Sequence, residues 1–109
     1  EFEFHRNYPP TINHPAETEF ARTLLGEVVG PENVFEFEPT MGAEDFSYFL
    51  QAKPGCYFLI GNGDGGHRTH GHGIGPCTLH NPTYDFNDKI LPLGVKAWLA
   101  ITHDFLGSD

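Results

Sequence analysis

The sequence predicts an α/β fold, in which helices cover the faces of a sheet. A continuous apolar run at residues 56–60 (CYFLI) predicts a strand that is buried on both faces. Apolar side chains at helical spacing over residues 15–29 predict an amphipathic helix. A strand covered on both faces needs helices on either side of its sheet, so these two observations together predict a helix-on-sheet layer architecture.

Residues 1–14 are predicted to form a strand followed by a hinge. Charged and aromatic side chains alternate over residues 1–5 (EFEFH), which is typical of a strand with one buried face. This strand begins in mid-pattern, so we expect its partner strands to lie outside the chain. Residues 8–15 (YPPTINHP) are rich in proline, which cannot continue a strand ladder, and they predict a crossover between two domains.

The next elements are predicted from their stop and start residues. The helix at residues 15–29 has a proline in its first position and ends before Gly30 and Pro31. Residues 34–37 form a short strand candidate. Residues 43–50 predict a short helix whose first turn carries Glu44 and Asp45, where acidic side chains favour the positive end of the helix dipole.

The rest of the chain is predicted to be a loop and a buried helix. Residues 61–75 are rich in glycine and contain no Gly-Lys-Ser/Thr triplet, so a loop without a phosphate-binding role is expected. Residues 88–105 are apolar nearly all round, which predicts a buried helix, and Pro92 is tolerated in its first turn.

Composition narrows the classes of function. Six Lys plus Arg against fifteen Asp plus Glu give a formal charge of −9, which disfavours nucleic-acid binding. No apolar run has the length of a membrane span, and we see no export signal at the N-terminus. Cys56 and Cys77 are therefore expected to be free thiols, and the compartment is expected to be the cytoplasm.

His80 stands just before Asn81 and Pro82, at the entry to the last helix. Pro82 disfavours helical geometry at Asn81, so His80 is expected at the end of a strand or in a stiff loop. An imidazole held at such a junction suits a metal ligand. A lone histidine is more often satisfied by hydrogen bonds, so both interpretations stay open on the residues alone.

Three segments in this order resemble the C-terminal portion of the M20 metallopeptidase superfamily, in its amidohydrolase branch. They are residues 8–13 (YPPTIN), residues 41–49 (MGAEDFSYF) with Pro54 and Gly55, and residues 79–94, which begin LHNP and end LPLG. Hippurate hydrolases, N-acyl-amino-acid amidohydrolases and plant auxin-conjugate hydrolases share these segments.

The resemblance implies the C-terminal part of a zinc-peptidase-like catalytic domain. Residues 1–14 would be the last strand and the hinge of an inserted lid and dimerisation domain, and residues 15–109 would belong to the catalytic α/β domain. The implied reaction is hydrolysis of the amide bond of N-acyl or N-aroyl amino acids such as hippurate by metal-activated water. The implied parent is a homodimer whose N-terminal half is missing here.

The resemblance also implies the metal site. His80 matches the family histidine that ligates one of two divalent ions (Zn, Mn, Co or Ni). The other ligands and the general base belong to upstream segments, a Cys-Gly-His, a Glu-Glu pair and a further histidine. We therefore expect the 109 residues alone to be inactive, with no catalytic residue of their own, and not to retain the metals.

Asn13 and Glu44 are the substrate-binding candidates that the resemblance adds. Glu44 lies in the family's Ala-Glu-Asp-Phe segment, which is near the pocket in that family. On the residues alone, Glu44 is a first-turn acid that stabilises a helix by about 0.3–1 kcal/mol, and Asn13 is a hinge or turn residue.

Two hypotheses from other classes remain. A small zinc-binding module would use a mixed set of nitrogen and sulfur ligands: His67, His70, His72, Cys77 and His80. A noncatalytic interaction domain would pair through the open edge of the strand at residues 1–5.

Overall fold

The structure is a computed structural model that describes residues 1–5, 7–68 and 78–107. Within these ranges it contains three α-helices, α1 (Pro15–Val29), α2 (Phe46–Ala52) and α3 (Leu91–Leu106). Three short 3-10 helices lie at Pro31–Asn33, Gly66–Arg68 and Asp88–Ile90.

Helix α1 has the bounds that the sequence predicts. Pro15 occupies its first position, and the Thr18 hydroxyl donates to the His14 carbonyl at 2.8 Å. The helix stops at Gly30, whose backbone has a φ of 88° and whose N–H donates to the Gly26 carbonyl at 2.8 Å. A positive φ is accessible to glycine at little steric cost, so Gly30 ends the helix at this residue.

The core is small and lies mainly between α1 and α3. The Phe20 and Phe105 rings meet edge to face, with centroids 6.4 Å apart. Among the described residues, the buried apolar side chains are Ala21, Leu24, Leu50 and Ala97. Such a core offers little hydrophobic stabilisation for a chain of 109 residues.

The prediction that the last helix is buried is wrong for this structure. Its bounds agree with residues 88–105 once the 3-10 helix Asp88–Ile90 is added, and Pro92 lies in its first turn. Trp98, however, is 61% exposed and Leu99 is 64% exposed. The exposed side forms an open apolar groove of about 500 Å³, lined by Leu91, Gly94, Val95, Trp98, Leu99 and Thr102.

None of the three predicted strands is a strand in the part of the chain that the structure describes. Phe2 is 89% exposed, and the prediction that residues 56–60 are covered on both faces is wrong here, since Leu59 and Ile60 are exposed. A strand requires the backbone of a neighbouring strand, and the described residues offer these segments no ladder partner. The α/β layers and the lid strand are therefore not confirmed by this structure.

Helix α2 begins later than predicted. Its first residue is Phe46, so Glu44 and Asp45 precede the helix and do not occupy its first turn. The reason is local. The Glu44 carboxylate accepts the Phe46 N–H at 3.1 Å and so caps the helix from a position that precedes it.

The chain is more extended than a compact domain of its length. Its radius of gyration is 17.1 Å, whereas a compact domain of 100 residues has about 13 Å. Among the helices of the described residues, none is both long and apolar enough to cross a bilayer.

Candidate functional site

The side chain of Asn13 is paired with the main chain of Tyr57. Its Nδ2 donates to the Tyr57 carbonyl at 2.8 Å, and its Oδ1 accepts the Tyr57 N–H at 2.8 Å. The carboxamide thus offers one donor and one acceptor, as a neighbouring strand would. The hinge residue predicted from sequence is thereby attached to the segment at residues 55–57.

His14 extends this attachment by one residue. Its N–H donates to the Gly55 carbonyl at 3.0 Å, and its Nδ1 accepts the Gly55 N–H at 3.2 Å. The His14 imidazole thus takes part in this contact as a hydrogen-bond acceptor. Two consecutive side chains therefore hold the hinge against residues 55–57.

Glu44 is held by three neighbours. Its Oε1 accepts the Phe46 N–H at 3.1 Å, and its Oε2 accepts the Tyr57 hydroxyl at 2.9 Å. The fully buried Ser47 donates its hydroxyl to the Glu44 carbonyl at 2.7 Å. Both the backbone and the carboxylate of Glu44 are thus oriented. We call Asn13, Glu44 and Tyr57 together the Tyr57 network.

Protonation in the Tyr57 network follows from these hydrogen bonds. The Phe46 N–H, and next the Tyr57 hydroxyl, lower the pKa of Glu44 below its ordinary value of 4.5, against a smaller opposing effect of burial. The hydrogen bond to Glu44 raises the pKa of Tyr57 above its ordinary value of 10.0. At neutral pH, Glu44 is therefore an anion and Tyr57 is a neutral donor.

Aromatic rings form one side of the Tyr57 network. The Phe46 ring lies with its centroid 5.5 Å from that of Tyr57 and 5.5 Å from that of Phe49. These separations are in the range of favourable ring contacts. The network is thus an anionic acceptor and a neutral donor beside an apolar surface.

His80 lies in a tight turn. The Asn81 N–H donates to the Thr78 carbonyl at 3.2 Å, and His80 has a φ of 66°. It is the single non-glycine residue with positive φ in the described part of the chain. Such a conformation is uncommon for a residue with a Cβ, and strained backbone conformations cluster at functional sites.

The residues after His80 stabilise this turn. The Asn81 Oδ1 accepts the Thr83 N–H at 3.0 Å and the Thr83 hydroxyl at 2.6 Å. The Tyr84 N–H donates to the Asn81 carbonyl at 2.9 Å. His80 therefore stands on a stiff loop, as its position before Asn81 and Pro82 predicts, and its side chain is exposed.

A second set of contacts joins residues 62–68 to residues 83–87. The Asn62 Nδ2 donates to the Asp85 carbonyl at 2.8 Å, and the Asn62 Oδ1 accepts the Asn87 N–H at 2.9 Å. The His67 Nε2 donates to the same Asp85 carbonyl at 2.9 Å, which leaves its buried Nδ1 without a hydrogen-bond partner among the described residues. The sequence analysis did not identify this pairing.

The structure brings Asn13 and Glu44 together through Tyr57. In the described ranges, no hydrogen bond connects His80 to them, and no three metal-ligating side chains of the kind His, Cys, Asp or Glu form a group. His70, His72 and Cys77 of the zinc-module hypothesis lie outside the described residues, and Cys56 is a free thiol.

His80 fits a metal ion as a single donor. Its imidazole is exposed at a turn of fixed geometry, which suits nitrogen coordination of a divalent ion of the zinc type. One imidazole is fewer than the three protein ligands of a catalytic zinc site, so the remaining donors must come from elsewhere.

Comparison with known proteins places the chain among the hydrolases. Residues 1–104 match the family model described as peptidase family M20/M25/M40. The chain belongs to this family, and the resemblance read from its motifs is confirmed.

Three relatives illustrate the range of the family. Thermostable carboxypeptidase 1 of Saccharolobus solfataricus is 46% identical over 90% of this chain and 23% of its own length. Hippurate hydrolase of Campylobacter jejuni is 31% identical over 90% of this chain and 23% of its own length. The IAA-amino acid hydrolase ILR1-like 4 of Arabidopsis thaliana is 31% identical over 91% of this chain and 21% of its own length.

The chain thus spans about a quarter of the length of the curated relatives it matches. No solved structure matches it significantly.

Proposed function

We propose that this chain is the C-terminal part of the catalytic domain of a metal-dependent amidohydrolase. The substrates would be N-acyl or N-aroyl amino acids, with hippurate as the type, and the proposed compartment is the cytoplasm. The observation that carries the proposal is the family match over residues 1–104 with relatives that include a hippurate hydrolase and an IAA-amino acid hydrolase.

His80 is proposed as this chain's contribution to a centre of two divalent ions (Zn, Mn, Co or Ni). Such ions supply the Lewis acidity and the activated water that amide hydrolysis near neutral pH requires. The exposed imidazole and the strained turn at His80 support this role. The other ligands and the general base would come from the rest of the protein.

The exposed apolar face of α3 supports the view that the domain is incomplete here. Trp98 and Leu99 are more than half exposed, and the groove beside them is almost wholly apolar. Large contiguous apolar surfaces are usually covered in stable proteins. The high radius of gyration supports the same view, because elements outside the 109 residues would complete the layers.

Residues 1–14 are proposed as the last strand and the hinge of a lid domain that also forms the interface of a homodimer. The hydrogen bonds from Asn13 and His14 to residues 55–57 support a hinge at this position. They fix the end of the proposed lid to the segment that carries Tyr57. Asn13 and Glu44 are proposed to contact substrate at this junction.

A second candidate is a carboxypeptidase. Its support is the identity of 46% with thermostable carboxypeptidase 1, which is higher than the 31% with the hippurate hydrolase. Both reactions cleave an amide bond, so the metal chemistry and the role of His80 would be the same. The difference would lie in the group on the acyl side of the bond.

The test is hydrolysis by the full-length protein that contains this chain. We expect it to cleave N-benzoylglycine and N-acetyl amino acids, to lose activity with a chelator and to regain it with added divalent ion. The 109 residues alone should be inactive. Preference for a dipeptide over its N-acyl counterpart would select the carboxypeptidase, and chelator-resistant hydrolysis would contradict the proposal.

The two noncatalytic hypotheses have separate tests. A zinc module should retain about one equivalent of zinc in the 109 residues after dialysis and unfold when a chelator removes it. An interaction domain should lose self-association when a charge replaces Phe2 or Phe4.

A further inference from the structure

Tyr57 connects two residues that are distant in sequence. Its main chain is paired with Asn13, 44 residues earlier, and its hydroxyl donates to Glu44, 13 residues earlier. The sequence predicts this residue only as part of an apolar strand, yet it is 36% exposed and takes part in four hydrogen bonds, one of them through its hydroxyl. Its phenol therefore has a role that burial in a strand does not explain.

The hydrogen bonds leave Glu44 able to bind a further donor. Phe46 and Tyr57 each occupy one lone pair on a different carboxylate oxygen, while each oxygen of an ionised carboxylate has two. The substrates proposed above carry an amide N–H, which is the kind of donor that a carboxylate accepts well. Their own carboxylate would be repelled by Glu44 and must point away from it.

We infer that Tyr57 is a positioning residue of the substrate pocket, which holds the Glu44 carboxylate in place while Asn13 holds Tyr57. The inference rests on the proposed function, because it takes Glu44 as a substrate contact. Without the phenol, Glu44 keeps the Phe46 N–H but loses the contact that fixes its Oε2. The Glu44 carboxylate is then held less firmly in its present orientation.

The test uses the full-length protein and four variants. Tyr57→Phe removes the hydroxyl and keeps the ring that contacts Phe46. Glu44→Gln removes the negative charge to which the hydroxyl donates. The double variant completes a double-mutant cycle, which measures the coupling between the two residues. Tyr48→Phe is the matched control, because it removes a hydroxyl that donates to the Asn7 carbonyl at 2.5 Å and does not touch Glu44.

We expect Tyr57→Phe to lower kcat/KM about tenfold, the low end of the 10–100-fold that loss of an orienting contact costs. The loss should appear mainly in KM, because the contact would act in the bound substrate complex as well as in the transition state. In the Glu44→Gln background the same change should have less than a twofold effect. Tyr48→Phe should leave KM unchanged.

Two results of the kinetic and melting measurements would overturn the inference. One is a tenfold effect of Tyr57→Phe that persists in the Glu44→Gln background, since Tyr57 would then act without Glu44. The other is a lowered melting temperature of Tyr57→Phe with unchanged KM, since the phenol would then serve only the start of α2.

A readout independent of hydrolysis separates this inference from the proposed function. In protein labelled with 13C-tyrosine, Glu44→Gln should lower the pKa of Tyr57 towards its ordinary value of 10.0. If the wild type cleaves no N-acyl amino acid but this pKa falls, the proposed function fails and the positioning of Glu44 by Tyr57 stands. An unchanged pKa would overturn the inference whatever the activity.

Discussion

His80 combines an exposed imidazole with a backbone conformation that disfavours any side chain. Its φ of 66° is stabilised by the turn from Thr78 to Asn81 and by the Asn81 contacts with Thr83. A left-handed conformation costs a residue with a Cβ roughly 1–2 kcal/mol relative to the right-handed one. Glycine would avoid this cost, so the conformation of His80 is an observation in favour of the function proposed for its ring.

The first prediction separates the ring from the backbone at His80. In metal-free full-length protein, His80→Gly should melt at or above His80→Ala, because glycine adopts the positive φ without strain. After divalent ion is restored, both variants should lack the hydrolytic activity that the wild type regains. The measurements are melting temperature and initial rate, and a His80→Gly variant clearly less stable than His80→Ala would show that the turn does not require positive φ.

The second prediction concerns acid stability through Glu44. Its folded pKa lies below the ordinary 4.5, so its contribution is fully present above pH 4.5 and is lost as the pH falls through the lowered pKa. Glu44→Gln should therefore narrow the stability difference between pH 7 and acid. Melting temperatures across this range measure the difference. Glu38→Gln is the control, because Glu38 is exposed and has no hydrogen bond among the described residues. An equal fall in melting temperature with pH for the wild type and Glu44→Gln would contradict the hydrogen bonds of Glu44 in the Tyr57 network.

At the scale of elements, the parts predicted correctly are those with local determinants. Helix α1 follows from Pro15 and Gly30, which start and stop it whatever surrounds them. The start of α2 was misplaced because it depends on the Glu44 side chain, which accepts the Phe46 N–H before the helix begins. Sequence pattern does not show which of two adjacent acids makes that bond.

The third prediction uses the two glycines at the end of α1. Gly30→Ala should destabilise by roughly 1 kcal/mol, because its φ of 88° strains any side chain. Gly26→Ala should stabilise by up to about 1 kcal/mol, since alanine is the better helix former. An added Cβ at Gly26 would meet Pro31 at an ordinary 3.5 Å.

Unfolding midpoints of the two variants decide between the expected outcomes. Both substitutions add a single methyl group. Equal changes in unfolding midpoint would therefore contradict this account of the helix end.

For the candidate site, the sequence predicted His80, Asn13 and Glu44 as separate positions and gave no reason to connect them. Their motifs carry the family resemblance, which is why these positions could be chosen. Tyr57 was missed because it lies within an apolar run that predicts a strand, and its phenol partner is 13 residues away. Contacts of that separation depend on tertiary structure and not on local pattern.

At the scale of the whole molecule, α3 was predicted to be buried and is largely exposed. Its composition is that of a buried helix, and in the described part of the chain it packs on α1 and, at Trp98, on the Phe58 ring. The composition of α3 indicates that its apolar side chains need to be covered, whereas the structure shows how few of them this chain covers. The two agree if the remaining three quarters of a protein the length of its relatives cover the exposed face.

The fourth prediction tests, at Trp98, whether the rest of the protein covers the exposed face of α3. In the full-length protein, Trp98→Ala should cost about 3–5 kcal/mol, as for a buried tryptophan. In the 109-residue chain, where 61% of Trp98 is exposed, the same change should cost far less. Lys96→Ala on the same helix should stay within about 0.5 kcal/mol in both. Equal costs of Trp98→Ala in the two proteins would show that nothing covers α3.

The most direct test of the central claim is metal content measured together with hydrolysis in the full-length protein and its His80→Ala variant. The account predicts two equivalents of divalent ion in the wild type. The variant should hold fewer, with N-benzoylglycine hydrolysis lowered by more than roughly 100-fold, since even residues that only orient a ligand cost 10–100-fold. A variant that holds both ions and cleaves the substrate as fast as the wild type would contradict it.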